Sequence, residues 1–109
     1  MAPENRRSRR VKTWFPVRMR NADRRNTAVA KDVSEKGILL AARRALAPGT
    51  EVHVSLHLDP EAGTPRLVHG RVVRREPNAN DPGGLWPYKL AIEFDEADPE
   101  LMAAIKSAS

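Results

Sequence analysis

From residue 11 onward, apolar and polar side chains alternate in short runs, each closed by residues that favour turns. Trp14, Phe15, Val17 and Met19 interleave with Arg18 and Arg20, which predicts a first strand that tolerates Pro16 only at an edge or a bulge. The polar stretch 21–26 predicts a turn, and the β-branched and small residues of 27–33 predict a second strand. Residues 38–42 form a third apolar run, followed by the turn signal Leu46-Ala47-Pro48-Gly49. The most regular alternation spans 51–58: Val52, Val54, Leu56 and Leu58 on one face, Glu51, His53, Ser55 and His57 on the other. A Pro- and Gly-rich loop over 59–65 leads to a fifth strand over 66–75, in which Gly70 marks a bulge or a close backbone approach. Residues 78–84 read as a flexible loop, and 88–94 as a sixth strand with Leu90, Ile92 and Phe94 in phase. Asp98 then suits a helix N-cap, Pro99 the first helical position, and Leu101, Met102 and Ile105 one apolar helix face.

Six short strands with turn signals between them predict a mainly β protein, a closed or nearly closed antiparallel barrel with a short C-terminal α-helix over one opening. Residues 1–10 show no apolar periodicity and read as an extended arm, so the division is an arm over 1–10 and a barrel with its helix over 11–109. At 109 residues the chain suffices for one core.

The stretch Asp32-Val33-Ser34-Glu35-Lys36-Gly37 has the chemistry of a tight connection between two strands, with a glycine able to take φ > 0 before the third begins. On extended backbone Asp32 and Ser34 share a face and offer a carboxylate beside a hydroxyl. Charge sharpens this picture. The net charge is +5, but residues 1–25 hold nine Lys/Arg against two acids, whereas the other 84 residues hold ten against twelve. The basic character belongs to the N-terminal segment, above all to Arg6-Arg7-Ser8-Arg9-Arg10, and it predicts an anionic partner there. A guanidinium cluster within reach of a carboxylate and a hydroxyl fits a nucleotide better than it fits a core.

Arg6-x-x-x-Arg10, followed after one strand by Asp32-x-Ser34-x-x-Gly37, resembles the paired signature of PilZ domains, bacterial receptors for cyclic di-GMP. Gly70-Arg71-Val72-Val73-Arg74 resembles the family's later strand and Ala91-Ile92-Glu93-Phe94 its final one, although the family often has glycine where this chain has Ala91. The resemblance implies a six-stranded PilZ-like barrel whose flexible arm carries Arg6 and Arg10 and orders over bound ligand. It implies that these arginines take guanine O6 and N7 or phosphate oxygens, geometry that lysine does not reproduce. Asp32 would accept from guanine N1–H and N2–H2, Ser34 would add a hydrogen bond, and Gly37 would let the backbone turn and approach closely. Arg7 and Arg9 are candidates for supplementary phosphate contacts, and Arg74 for stacking on a guanine.

Other chemistry is set aside. With no cysteine, disulfides and thiolate metal sites are excluded. His53 and His57 would stand roughly 13 Å apart along a strand, too far to share a metal ion, and His69 is isolated in sequence. No nucleophile has a base and orienting group beside it, so no catalytic residue, enzyme activity, cofactor or metal is expected. Five aromatics suit packing better than base stacking. No apolar run approaches the roughly 20 residues of a membrane span, so a cytoplasmic location is expected. The reading is a cyclic di-GMP-binding receptor or adaptor that alters a surface shown to an effector protein, in motility, surface attachment or exopolysaccharide formation. A PilZ-like adaptor that binds no nucleotide and a small basic barrel for single-stranded nucleic acid are the alternatives. The second leaves Asp32 unexplained, since a carboxylate repels phosphates. A monomer is the simpler expectation, with a dimer open.

Overall fold

The computed structural model describes residues 11–22, 24–58, 65–81 and 83–108. In chain order they form β1 (Val11–Asn21), β2 (Arg24–Val33), β3 (Gly37–Ala42), β4 (Glu51–Leu56), β5 (Arg66–Pro77), β6 (Tyr88–Phe94) and helix α1 (Pro99–Ala108). The strands close into a barrel in the order β1-β2-β3-β6-β5-β4, and each neighbouring pair is antiparallel. Closure satisfies the hydrogen-bonding edge that an open sheet would expose.

The interior is built by period two. Val17 and Met19 of β1, Val52, Val54 and Leu56 of β4, and Leu90, Ile92 and Phe94 of β6 alternate with outward residues and are buried. Leu101 and Ile105 of α1 join the same cluster, with Met102 packed beside them, so the helix stoppers the barrel with the face expected of it. Asp98 caps the helix, accepting from the Leu101 N–H at 3.2 Å. Pro16 stands opposite Val29, one residue past the β1–β4 ladder that ends at Val17↔Leu56. Its missing N–H is therefore not needed by β4.

Several elements differ from the pattern reading. The first hairpin is tighter: β2 begins at Arg24 rather than at residue 27, because Asn21↔Arg24 closes the ladder around the two-residue connection 22–23. Ala22 takes φ 52° to make that turn. The loop that follows β5 is held together. The Asn78 N–H donates to the Pro87 carbonyl at 2.8 Å, and its side-chain amide donates to the Trp86 carbonyl at 2.7 Å. Asp81 in turn accepts from the Trp86 N–H. Trp14 is 67% exposed, with the Lys31 ammonium 4.7 Å from its ring centre. The arginines at 6, 7, 9 and 10 lie outside the described residues.

Candidate functional site

The site begins with two irregularities in the sheet. Along β2, Ala28 and Ala30 face the core, and strict alternation would send Asp32 inward after them. Instead the register with β3 runs from Ala30↔Leu40 to Asp32↔Leu39, a bulge at Lys31 that reverses the phase of the strand. Asp32 therefore shares the outward phase of Leu39, and Val33 returns to the core opposite Ile38. A matching event occurs on β5, where the register passes from Val72↔Ile92 to Arg74↔Ala91. The bulge at Val73 turns Arg74 outward, although it is two residues from the buried Val72. Gly70, expected to mark a bulge or a close backbone approach, lies in regular register opposite Phe94 and is the close approach, to the Glu93 carbonyl.

These two reversals set one row across the outer wall of the barrel, Lys12↔Asp32↔Leu39↔Ala91↔Arg74. A pocket of about 440 Å³ lies along it, lined by Asp32, Ser34, Lys36, Gly37, Leu39, Val73, Arg74, Ala91, Ile92 and Glu93. Its floor is the Leu39–Ala91 pair, small and apolar. Its rim carries both signs of charge, Asp32 and Glu93 against Lys36 and Arg74. The Arg74 Nε donates to Glu76 Oε2 at 3.0 Å, with both side chains in solvent.

The β2–β3 turn is braced from within and from outside. Ser34 is fully buried. Its backbone N–H donates to the Gly37 carbonyl at 2.8 Å, its hydroxyl donates to the same carbonyl at 3.4 Å, and that hydroxyl accepts from the Lys36 N–H at 3.3 Å. The Ser34 hydroxyl thus shapes the turn on which the pocket rests. The Lys36 carbonyl accepts from Phe94 N–H at 2.8 Å and the Glu35 carbonyl from Asp98 N–H at 2.7 Å, which ties the turn to the end of β6 and to the helix cap.

Gly37 does not adopt positive φ; among the described glycines Gly49 alone does. Its requirement is space: a Cβ at Gly37 would meet the Ile92 carbonyl oxygen at 2.5 Å. Gly70 makes the same kind of approach to the Glu93 carbonyl from the other side, so two glycines let β3 and β5 close tightly on β6. Ala91, where the family often has glycine, lines the pocket.

Sequence reasoning singled out Asp32, Ser34, Gly37 and Arg74, and all four line this pocket. It missed Lys36, Leu39, Val73, Ala91, Ile92 and Glu93. A signal for the floor existed in the unbroken run Ile38-Leu39-Leu40-Ala41-Ala42, which lacks the polar residues of a solvated outer face. Sequence distance hid another grouping. His53 and His69 face each other across β4 and β5 with ring centres 4.4 Å apart, and His69 bridges to Asp95 and to Glu51. No group of three or more residues suited to a metal ion occurs among the described residues, nor a helix long and apolar enough to cross a membrane.

Compared with known families, residues 4–108 match the PilZ domain. No curated protein matches the chain. Among solved structures it is similar to MotI/DgrA, an inhibitor of motility from Bacillus subtilis, with a TM-score of 0.67 and 16% identity over 93% of this chain and 48% of that one. It is also similar to the PilZ domain of CeSA from a cellulose-synthesising bacterium, with a TM-score of 0.62 and 19% identity over 91% of this chain and 92% of the other. The chain spans about half the length of MotI/DgrA. At these identities the likeness is one of fold.

Proposed function

Since the chain belongs to the PilZ domain family, a family of cyclic di-GMP receptors and adaptors, we propose that it binds cyclic di-GMP in the outer-wall pocket and passes the signal to an effector protein. The observation that carries this reading is that Asp32, Ser34, Gly37 and Arg74, spread over more than forty residues of sequence, line one pocket. Lys12 pairs with Asp32, so the start of β1, which Arg6 and Arg10 precede in sequence, stands beside that carboxylate.

In this reading the roles divide by chemistry. Asp32 accepts from the N1–H and N2–H2 edge of a guanine, where a guanidinium would be repelled. Arg6 and Arg10 supply forked donors to guanine O6 and N7 or to phosphate oxygens, with Arg7 and Arg9 adding phosphate contacts. Arg74 stacks on a base or pairs with a phosphate from the β5 rim. Glu93 offers a second acceptor for a guanine edge. Leu39 and Ala91 give an apolar floor for a purine face, and Ser34 and Gly37 act through the turn and the strand packing beneath it.

Ligand closes the arginine arm over the pocket and so changes the surface seen by the effector. Such a receptor acts in the cytoplasm on motility, surface attachment or exopolysaccharide formation, performs no catalysis, and works as a monomer unless ligand joins two copies. A single-stranded nucleic acid is disfavoured because Asp32 and Glu93 both rim the pocket.

Isothermal titration with cyclic di-GMP, with GMP as control, tests the reading on the wild type, Arg10→Ala and Asp32→Ala. Saturable binding lost in both variants and absent with GMP is expected. No heat from a folded wild type would overturn it and leave the adaptor without nucleotide as the better description.

A further inference from the structure

A second concavity of about 560 Å³ occurs on a different wall of the barrel, across β2, β1, β4 and β5, and shares no residue with the first. Register defines its surface as two adjacent cross-strand rows. One reads Thr27↔Arg18↔Ser55↔Leu67 and the other Arg25↔Arg20↔His53↔His69. Three guanidiniums thus crowd one side of the groove, and Leu67, 71% exposed, stands on the other. Arg18, Arg20 and Arg25 are in no ion pair among the described residues. The nearest outward carboxylate of β4, Glu51, is turned to His69 at 3.4 Å.

We propose that this wall docks an acidic peptide segment of a partner protein, one that presents carboxylates to the arginines and an apolar side chain to Leu67. The spacing suits such a segment. Arg18 and Arg20 are two residues apart on a strand, about 7 Å, which is the separation of alternate side chains on an extended peptide. Leu67 lies two strands over from Arg18, about 10 Å to the side. Three like charges held on a rigid sheet, with no ion pair among the described residues, repel one another, and an anionic partner removes that cost while guanidiniums supply forked donors to carboxylates. Hydroxyls of Thr27 and Ser55 in the same row add neutral hydrogen bonds. The barrel is closed, so recognition rests on side chains and not on strand addition.

A nucleic acid strand is the weaker fit. No Phe, Tyr or Trp lines the groove, the one ring that does, His53, already packs against His69, and an exposed leucine offers a base no stacking partner. The docking surface does not depend on the nucleotide reading.

The test is fluorescence anisotropy of the full chain with a short labelled peptide in which glutamate and leucine occupy alternate positions with serine between them, so that both face the wall, beside a glutamine-for-glutamate control and an oligothymidylate. Saturable binding of the acidic peptide is expected. It should weaken at least about tenfold in Arg18→Glu/Arg20→Glu, about threefold or more in Leu67→Ser, and remain unchanged in Asp32→Ala. Circular dichroism and the urea midpoint establish that each variant is folded. Should the charge reversal fail to fold, Arg18→Gln/Arg20→Gln carries the same expectation at smaller size. No binding, or binding that survives loss of both arginines, overturns the proposal. So does tighter binding of the oligothymidylate that ignores Leu67→Ser, which would make the wall a nucleic-acid surface. Cyclic di-GMP titration of the same variants is a separate readout, so failure of this proposal and failure of the receptor reading are distinguishable.

Discussion

Arg66, the first residue of β5, grips Asp98, the cap of α1, with both ends of its guanidinium fork: Nη2 lies 2.7 Å from Oδ1 and Nε 3.2 Å from Oδ2. The same Oδ1 accepts from the Leu101 N–H at 3.2 Å, and the Asp98 N–H reaches back to the Glu35 carbonyl of the β2–β3 turn. One carboxylate therefore starts the helix, fixes it to the barrel and stands next to the turn that underlies the pocket. The hydrogen bond to Asp98 pushes the Arg66 pKa above its ordinary value, with burial acting the other way, so the guanidinium is charged wherever the protein is folded. Asp98→Ala should cost about 1–2 kcal/mol, from a lost cap and a lost forked pair. Asp98→Asn, which keeps the capping acceptor, should cost less than half of that. Thermal midpoints that fall equally for the two variants would assign the stabilisation to charge and not to the cap.

Glycine 37 is held to its identity by Ile92, and Gly83 by nothing. A Cβ at Gly37 would come within 2.5 Å of a backbone carbonyl that has no room to move, whereas a Cβ at Gly83 would meet no atom within 4 Å. Gly37→Ala should therefore destabilise by about 1–3 kcal/mol as β3 and β6 are forced apart. Gly83→Ala should be neutral or gain a few tenths of a kcal/mol by restricting the unfolded chain. Urea denaturation of the two variants measures both, and equal midpoints would refute the close packing of β3 on β6.

Ala22 carries a different kind of strain. Its φ of 52° lies in the left-handed region, where a Cβ costs roughly 1–2 kcal/mol. Ala22→Gly removes that cost and loses part of the gain to unfolded-chain entropy, for a net stabilisation of about 0.5 kcal/mol. Ala22→Val should instead destabilise, because a β-branched side chain fits that conformation worse than alanine. A midpoint that rises with valine would show that the turn relaxes to another type.

Six strands, their order along the chain and the capped helix were legible because alternation and turn residues are local properties. The phase of β2 and β5 was legible in principle as well. Asp32 follows Ala28 and Ala30, and Arg74 follows Gly70 and Val72, each a charge in step with core positions. A bulge just before the charge is the economical escape from burying it. Gly37 illustrates what was not legible. Its neighbour Ile92 is far away in sequence, and a close approach between distant strands leaves no local mark to separate it from a glycine required for φ > 0. The His53–His69 contact was hidden for the same reason, since it exists only once β4 and β5 are in register.

Arg74 links the described pocket to a measurable competition. Its guanidinium is engaged by Glu76, 3.0 Å away, with the two side chains 64% and 43% exposed. An ion pair in that much water holds its partners weakly, so an anionic ligand can draw Arg74 away, but Glu76 opposes the ligand twice, as a rival acceptor and as a like charge. Glu76→Gln should therefore tighten cyclic di-GMP binding about two- to fivefold with no change in thermal midpoint. Arg74→Ala should weaken binding about tenfold or more, as expected for loss of a charged donor to a phosphate or base. In the double variant the gain from Glu76→Gln should shrink to its like-charge part, because the rival acceptor matters only while Arg74 is present. If Glu76→Gln tightens binding equally with and without Arg74, the effect is one of net charge alone. Arg74 is then a solvated strand residue and not part of the site.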